Sequence, residues 1–299
     1  QKIIWNSKDD KGRYIDDIKG LNIRVSLGLK PSYDRDLYQS PYKRISGLPS
    51  IATGPEGLYV FEGCGRDQLR LFNHKGEYVK MIYPFPASQI EKVKGLDWIS
   101  YGGREKYPLK YSVYHQTLLS SGDNGPTASG DSVGYTGING RAASTMAVQG
   151  NRLLIGFERI NRFQTDGNTG GLNIKGPEIG IPRKKSGGDT NKSIVGPASS
   201  AFSPDGKTVY FTGYLWHYGY SGFGQSGNFP VVMKMNYETD DAPVVFAGKI
   251  KQEEFGPEPD KLNTPSSLDT DTNGNVYVSD FWNNRIQVFA PTGQLLKSI

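Results

Sequence analysis

The sequence contains one cysteine, Cys64, and three histidines, His74, His115 and His217. A lone thiol excludes an internal disulfide, a cysteine-rich zinc site and a C-x-x-C-H haem attachment. Three histidines spread through 299 residues give no zinc set at recognisable spacing, because such a site needs three or four ligands converging on one point. Long apolar runs are also missing. Nothing approaches the ~20 residues that span a bilayer, so no membrane span is expected, and residues 1–20 lack the apolar core and cleavage pattern of a signal peptide. No sign of charge dominates: 35 Lys and Arg stand against 30 Asp and Glu, a net charge of +5. The longest basic cluster, Arg183-Lys184-Lys185, falls short of the stripe or module of a nucleic-acid binder, so no nucleic acid partner is expected. The Gly-x-Ser-x-Gly elbow, the P-loop and the dinucleotide fingerprint are absent. Gly63 and Gly65 flank Cys64 in a turn with no helix behind it to receive a phosphate. The thiol itself reads as a small half-buried side chain, since nothing marks it for a depressed pKa.

What the chain has in quantity is glycine, proline and aromatic rings: 38 Gly, 18 Pro and 12% aromatics. Without a collagen-like period, that mixture predicts many short strands joined by turns. Self-similarity organises them. Leu58-Tyr59-Val60 leads into Gln68-Leu69-Arg70-Leu71-Phe72 and the turn Asn73-His74-Lys75-Gly76; Val276-Tyr277-Val278 leads into Arg285-Ile286-Gln287-Val288-Phe289 and the turn Ala290-Pro291-Thr292-Gly293. A short strand of small residues precedes each, Pro49-Ser50-Ile51-Ala52-Thr53 and Pro265-Ser266-Ser267-Leu268-Asp269, and a fourth strand follows, Glu77 to Tyr83 and Gln294 to Ile299. The same opening recurs at Pro197-Ala198-Ser199-Ser200-Ala201-Phe202, ahead of the turn Ser203-Pro204-Asp205-Gly206, and more weakly at Ala142 to Val148. Small side chains suit innermost strands that crowd around an axis. The expected fold is therefore all-β, a β-propeller of four-stranded blades.

The stretch Asn275-Val276-Tyr277-Val278-Ser279-Asp280, with Asn283-Asn284-Arg285-Ile286-Gln287-Val288-Phe289 and Gly293, resembles an NHL repeat. Residues 49–83 resemble a degenerate copy, and Ser203-Pro204-Asp205-Gly206-Lys207 resembles the turn of bacterial propellers of the lactonase and WD-like kinds. The resemblance implies the TolB-like six-bladed superfamily, with five or six blades in this chain, one of them irregular and placed within residues 87–140. It also implies a domain of a larger exported bacterial protein, extracellular or periplasmic. The opening Ile3-Ile4-Trp5-Asn6-Ser7-Lys8-Asp9-Asp10-Lys11-Gly12 resembles the hairpin of bacterial Ig-like modules. Residues 1–30 are thus expected to be a hairpin or the tail of such a module, and residues 31–299 the propeller.

Three loops exceed what a hairpin needs: Ser120–Gly140, Asn161–Val195 and Tyr214–Phe229. Excess length over a rigid frame is a functional signal. Tyr214, Trp216, His217 and Tyr218 form an aromatic cluster suited to stacking on sugar faces, with Asp123 and Asn124 supplying hydrogen bonds. Were the chain a carbohydrate-active enzyme, His217 or His115 would serve as base, Tyr218 or Tyr220 as acid and Arg141 as helper, in the manner of a polysaccharide lyase. Calcium, the one cofactor with any support, would use Asp269, Asp271 and Asn273, whose alternating oxygens resemble the start of an EF-hand. The position a bidentate Glu would fill is Asp280, and the same residues also read as a hairpin turn. A metal-dependent lactonase of the gluconolactonase type is implied by likeness of fold alone, which does not license the activity. The reading favoured is a non-catalytic module that holds a polysaccharide or protein partner on one loop face, beside neighbouring domains of the same polypeptide.

Overall fold

The computed structural model describes residues 8, 13–14, 33, 47–63, 67–100, 102–103, 105–108, 111–112, 117–118, 145–157, 159–183, 193–214, 229–251 and 254–299. The chain divides into two units, Gln1–Asp36 and Leu37–Ile299. In the first, Lys8 and Tyr14 form an antiparallel bridge, with the ammonium 4.7 Å from the ring centroid.

The second unit is built from four-stranded antiparallel meanders. Blade one is β1 (Gly47–Gly54), β2 (Gly57–Gly63), β3 (Gln68–Phe72) and β4 (Tyr78–Tyr83). Two ribbons follow, β5 (Trp98–Ser100) with β6 (Lys106–Pro108) and β7 (Tyr111–Ser112) with β8 (Thr117–Leu118). Blade two is β9 (Thr145–Gln149), β10 (Arg152–Gly156), β11 (Arg159–Gln164) and β12 (Lys175–Glu178). A third ribbon, β13 (Ile181–Arg183) with β14 (Ser193–Val195), leads to blade three: β15 (Ser199–Phe202), β16 (Thr208–Thr212), β17 (Val231–Asn236) and β18 (Val244–Gly248). Blade four is β19 (Pro265–Thr270), β20 (Val276–Asp280), β21 (Arg285–Phe289) and β22 (Leu295–Ser298). Helix among the described residues is confined to short 3-10 turns, and no helix there is long and apolar enough to cross a membrane.

One outcome differs from the sequence reading. The stretch Asn161–Val195, expected as a long loop, supplies most of β11 and the whole of β12, β13 and β14. Gly176-Pro177 within β12 and an inward-facing Arg162 in β11 break the alternation on which strand recognition depends. Between blades one and two, where an irregular blade was expected, the described strands are the two ribbons β5–β6 and β7–β8.

The core lies between blades, because each sheet buries both faces against its neighbours. Tyr59, Phe61, Leu69 and Leu71 of blade one meet Leu153, Ile155 and Phe163 of blade two. Leu154 and Ile160 of blade two meet Val209, Phe211, Met233 and Met235 of blade three. Tyr210, Val232 and Phe246 of blade three meet Val276, Val278 and Phe289 of blade four. Hydroxyls zip the first strands together: Thr145 Oγ1 and Ser200 Oγ lie 2.6 Å apart, Leu268 N donates to Ser199 Oγ at 3.0 Å, and Thr270 Oγ1 donates to the Phe202 carbonyl at 2.7 Å. The small polar residues of these strands thus both fit the crowded axis and satisfy backbone groups there.

The blade two–three junction is polar at one end. Tyr237 is buried, its hydroxyl 3.1 Å from the carbonyls of both Leu153 and Phe163, and the guanidinium carbons of Arg152 and Arg162 lie 5.7 and 6.0 Å from its ring centroid. Arg162 is 1% exposed and donates to Asp240 Oδ1 at 2.8 Å and to the Thr239 carbonyl.

Burial pushes the phenols of Tyr214 and Tyr237 far above the ordinary tyrosine range, and burial followed by the Glu56 charge pushes Tyr59 up to about 12. The folded state holds these phenols neutral, so their contribution is complete below the unfolded value of about 10 and is lost as pH rises through the folded ones. Alkaline titration should therefore leave at least these three tyrosines unionised until the sheets unfold, with their tyrosinate absorbance appearing together with loss of the β-type circular dichroism. Complete ionisation of all tyrosines while the dichroism stays native would contradict this packing.

Candidate functional site

In a meander that starts at the axis, the turns joining first to second and third to fourth strands fall at one end. The connections from second to third strands, and from one blade to the next, fall at the other. Blade four shows how the second end is organised. Asp280, at the end of β20, is 0% exposed and accepts four hydrogen bonds: Asn263 N at 2.5 Å on Oδ1, and Asn283 Nδ2 at 2.8 Å, Arg285 Nε at 2.7 Å and Gln287 Nε2 at 3.1 Å on Oδ2. The other nitrogens of Arg285 donate to the carbonyls of Pro257, Glu258 and Lys261 at 2.8–2.9 Å, and Gln287 donates to Lys261 as well. These carbonyls belong to the connector from blade three. The 3-10 turn Phe281–Asn283 places Asn283 over the carboxylate, with Asn284 left-handed at φ 51° to bring the chain back into β21. Asp280, Arg285 and Gln287 each hold the connector through at least one hydrogen bond, while Gln287 Oε1 is buried without a partner.

Of the candidate ligand contacts, Tyr214 is described, and it is not on the surface. Its ring is 0% exposed, packed with Phe211, Phe229 and Val231 in the blade two–three core, and its hydroxyl is buried without a hydrogen-bond partner. A residue at the foot of an aromatic-rich loop was read as part of the loop, but in the fold it is a core ring two residues past the end of β16. Trp216, His217, Tyr218 and Tyr220 lie outside the described residues, as do His115, Asp123, Asn124, Arg141 and Cys64. The strand ends that flank them are described. Thr145, where the chain re-enters after residues 119–144, sits beside Ser200, whose blade carries residues 215–228 between Tyr214 and Phe229. Both long segments therefore join the frame at the connector end of neighbouring blades.

The calcium candidates form a turn. Asp271 Oδ1 accepts from Asn273 N and Asn275 N, both at 2.9 Å, and Oδ2 accepts from Asn275 Nδ2 at 2.8 Å and Tyr277 OH at 3.3 Å. These bonds, the Asn275 side chain first, hold its carboxyl below the usual range. Gly274, at φ +81°, closes the turn with its N–H on the Asp271 carbonyl. Asp269 Oδ1 accepts from Thr270 N. The three residues shape a β-hairpin, and among the described residues no group of three or more His, Cys, Asp or Glu side chains converges as a metal site. His74 is exposed, its Nε2 3.1 Å from the Pro55 carbonyl.

At the turn end, between blades three and four, a cavity of about 580 Å³ opens beside the calcium candidate Asn273. It is lined by Asp205, Tyr210, Lys234, Met235 and Asp241 of blade three and by Asn273 and Pro291 of blade four. The Ser203-Pro204-Asp205-Gly206 turn was visible in sequence; its meeting with the β17–β18 turn and the two blade-four turns was not.

Replacing Asp280 by alanine would take the carboxylate from the Arg285 cation and free four donors at a packed junction, a loss of about 3–5 kcal/mol by analogy with broken buried ion pairs. Thermal melting should show a large drop for Asp280→Ala and a smaller one for Arg285→Lys, which keeps the charge but not the fork. An unchanged midpoint in Asp280→Ala would refute the structural role.

The NHL repeat family model matches residues 262–289, from the connector to the end of β21. No curated protein matches the sequence. Among solved structures, a gluconolactonase from Xanthomonas campestris superposes with a TM-score of 0.33 at 13% identity, over 82% of this chain and 59% of that one. A luciferin-regenerating enzyme gives 0.31 at 11% identity, over 85% and 62%. The calcium-binding protein regucalcin from Agrobacterium tumefaciens gives 0.33 at 14%, over 88% and 76%. The chain thus spans about three fifths of the length of the first two. Blade four is an NHL repeat, and the chain that carries it is an all-β protein of four-stranded propeller blades.

Proposed function

We propose that this propeller is a non-catalytic binding module of a larger exported bacterial protein, acting in the periplasm or outside the cell. It holds a polysaccharide or protein partner on its connector end. The observation that supports this reading is the position of the strand ends that flank the two long segments. Residues 119–144 and 215–228 join neighbouring blades at the same end, their anchors tied by the Thr145–Ser200 hydroxyl contact and by the buried rings of Tyr214 and Phe229. Long connections anchored on a rigid frame are a usual place for recognition. The blade-four motif has a different role, since Asp280, Arg285 and Gln287 hold the connector.

Tryptophan fluorescence titrated with acidic and neutral oligosaccharides tests the reading. A saturable change abolished by Trp216→Ala is the expected result for a glycan partner, and silence across the panel assigns the face to a protein or to a neighbouring domain. In parallel, uronic-acid polymers incubated with the protein should yield no absorbance from unsaturated products. Turnover that disappears in His217→Ala or His115→Ala would replace the binding module by a polysaccharide lyase.

A further inference from the structure

The cavity at the turn end of blades three and four lies away from the connector end and is independent of the function proposed above. Its origin is geometric. Tyr210, Lys234 and Val244 form one cross-strand row on the face of blade three turned toward blade four, and Thr208 and Asn236 form the next row toward the turns. Twisted sheets that pack at their centres diverge at their ends. Here the space between the two rows and the blade-four turns is left open, at about 580 Å³, within the usual range of about 300–1,000 Å³ for ligand sites.

The chemistry around that space is unbalanced. Asp205, Asp241 and Lys234 all line it, yet none of the three forms an ion pair with another among the described residues. Asp205 uses Oδ1 for its own turn, accepting from Ser203 Oγ at 2.5 Å and Lys207 N at 3.0 Å. Its other oxygen takes no hydrogen bond among the described residues. The Lys234 ammonium lies 5.4 Å from the Phe246 ring centroid rather than against a carboxylate. Tyr210 is 3% exposed and lines the cavity, and the described residues give its hydroxyl no hydrogen-bond partner. Burial and then the Asp205 charge raise its pKa, so it stays a neutral donor. Val244, 56% exposed, and Pro291 give the space apolar surface. A ligand complementary to this set carries a cation for the two carboxylates, carbonyl acceptors for the ammonium and the phenol, and an aliphatic stem to lie on Val244 and Pro291. A sugar has no cation, and a bare metal ion would face Lys234. A peptide bearing arginine or lysine has all three features.

We propose that the mouth between blades three and four is a binding site for a peptide segment carrying a basic side chain, its cation held by Asp205 and Asp241 and its backbone carbonyls by Lys234 and Tyr210. Both carboxylates act at the rim, so binding weakens as salt screens them.

The test uses fluorescein-labelled short peptide pools with one position fixed as arginine, lysine, norleucine or glutamate, followed by anisotropy. The arginine and lysine pools should bind, and Asp205→Asn with Asp241→Asn should weaken them by about tenfold or more, the scale of a lost charge-assisted contact. Asparagine keeps the Oδ1 acceptor of the turn, so the double variant should melt as the native protein does. Tyr210→Phe, which removes only the hydroxyl, should weaken binding several-fold, and Trp216→Ala should leave it unchanged. Norleucine or glutamate pools that bind as well as arginine, a double variant that binds normally, loss of binding in Trp216→Ala, or no binding by any pool would each overturn the proposal.

Discussion

A carboxylate taken out of water must be met by donors on every side or it destabilises the fold that encloses it. At Asp280 the donors come from three places: the 3-10 turn through Asn283, the next strand through Arg285 and Gln287, and the incoming connector through the backbone of Asn263. Arg285 extends the same network onto three connector carbonyls. The path of the chain from β18 to β19 is thereby fixed by one charge, and with it the placement of blade four on blade three. The apolar contacts of Val276, Val278 and Phe289 fill the junction, but they are non-directional, and the carboxylate network supplies the register.

The other blades do not repeat this network, and the buried carboxylate of blade one accepts no hydrogen bond among the described residues. In blade one the equivalent of Asp280 is Glu62, also 0% exposed, and the amide and guanidinium have exchanged places: Gln68 stands at the position of Arg285 and Arg70 at that of Gln287. Arg70 Nη2 lies 3.7 Å from Glu62 and donates to Gln68. In blades two and three the position falls to Phe157 and Gly213, and no carboxylate is buried there. Their junction is instead tied from the turn end, by Arg152 and Arg162 around Tyr237. A repeat that tolerates such exchange keeps its architecture while its sequence signature fades, which is why the family pattern is sharp in blade four and faint elsewhere.

That difference accounts for what the sequence made legible. Blade four was readable because its architecture is written in residues with specific chemistry, Asp280, Asn283 and Arg285. Blades one and three were readable from alternation and from glycine turns. The outer strands of blade two were not, because Gly176-Pro177 and a buried Arg162 disguise them, and the cost of burying Arg162 is met by Asp240 and Thr239, nearly 80 residues away. Tyr214 was misplaced for a related reason: aromatic density signals both a ligand face and a core, and only the strand to which a ring belongs decides. The cavity between blades three and four draws on four turns spread between Ser203 and Pro291, and no local pattern announces a space that arises from the divergence of two sheets.

Two ends of one frame thus acquire different characters, a connector end stiffened by a buried charge and a turn end left open and charged. The stiffening is the claim on which the rest depends. Amide hydrogen exchange at Asn263 tests it most directly, because that N–H lies in the connector, outside the strand ladders, and bonds to the Asp280 carboxylate alone among the described groups. Protection of Asn263 equal to that of the β20 and β21 amides, and lost in Asp280→Ala, is the result this account predicts. Exchange at the rate of an open loop in the native protein would contradict it.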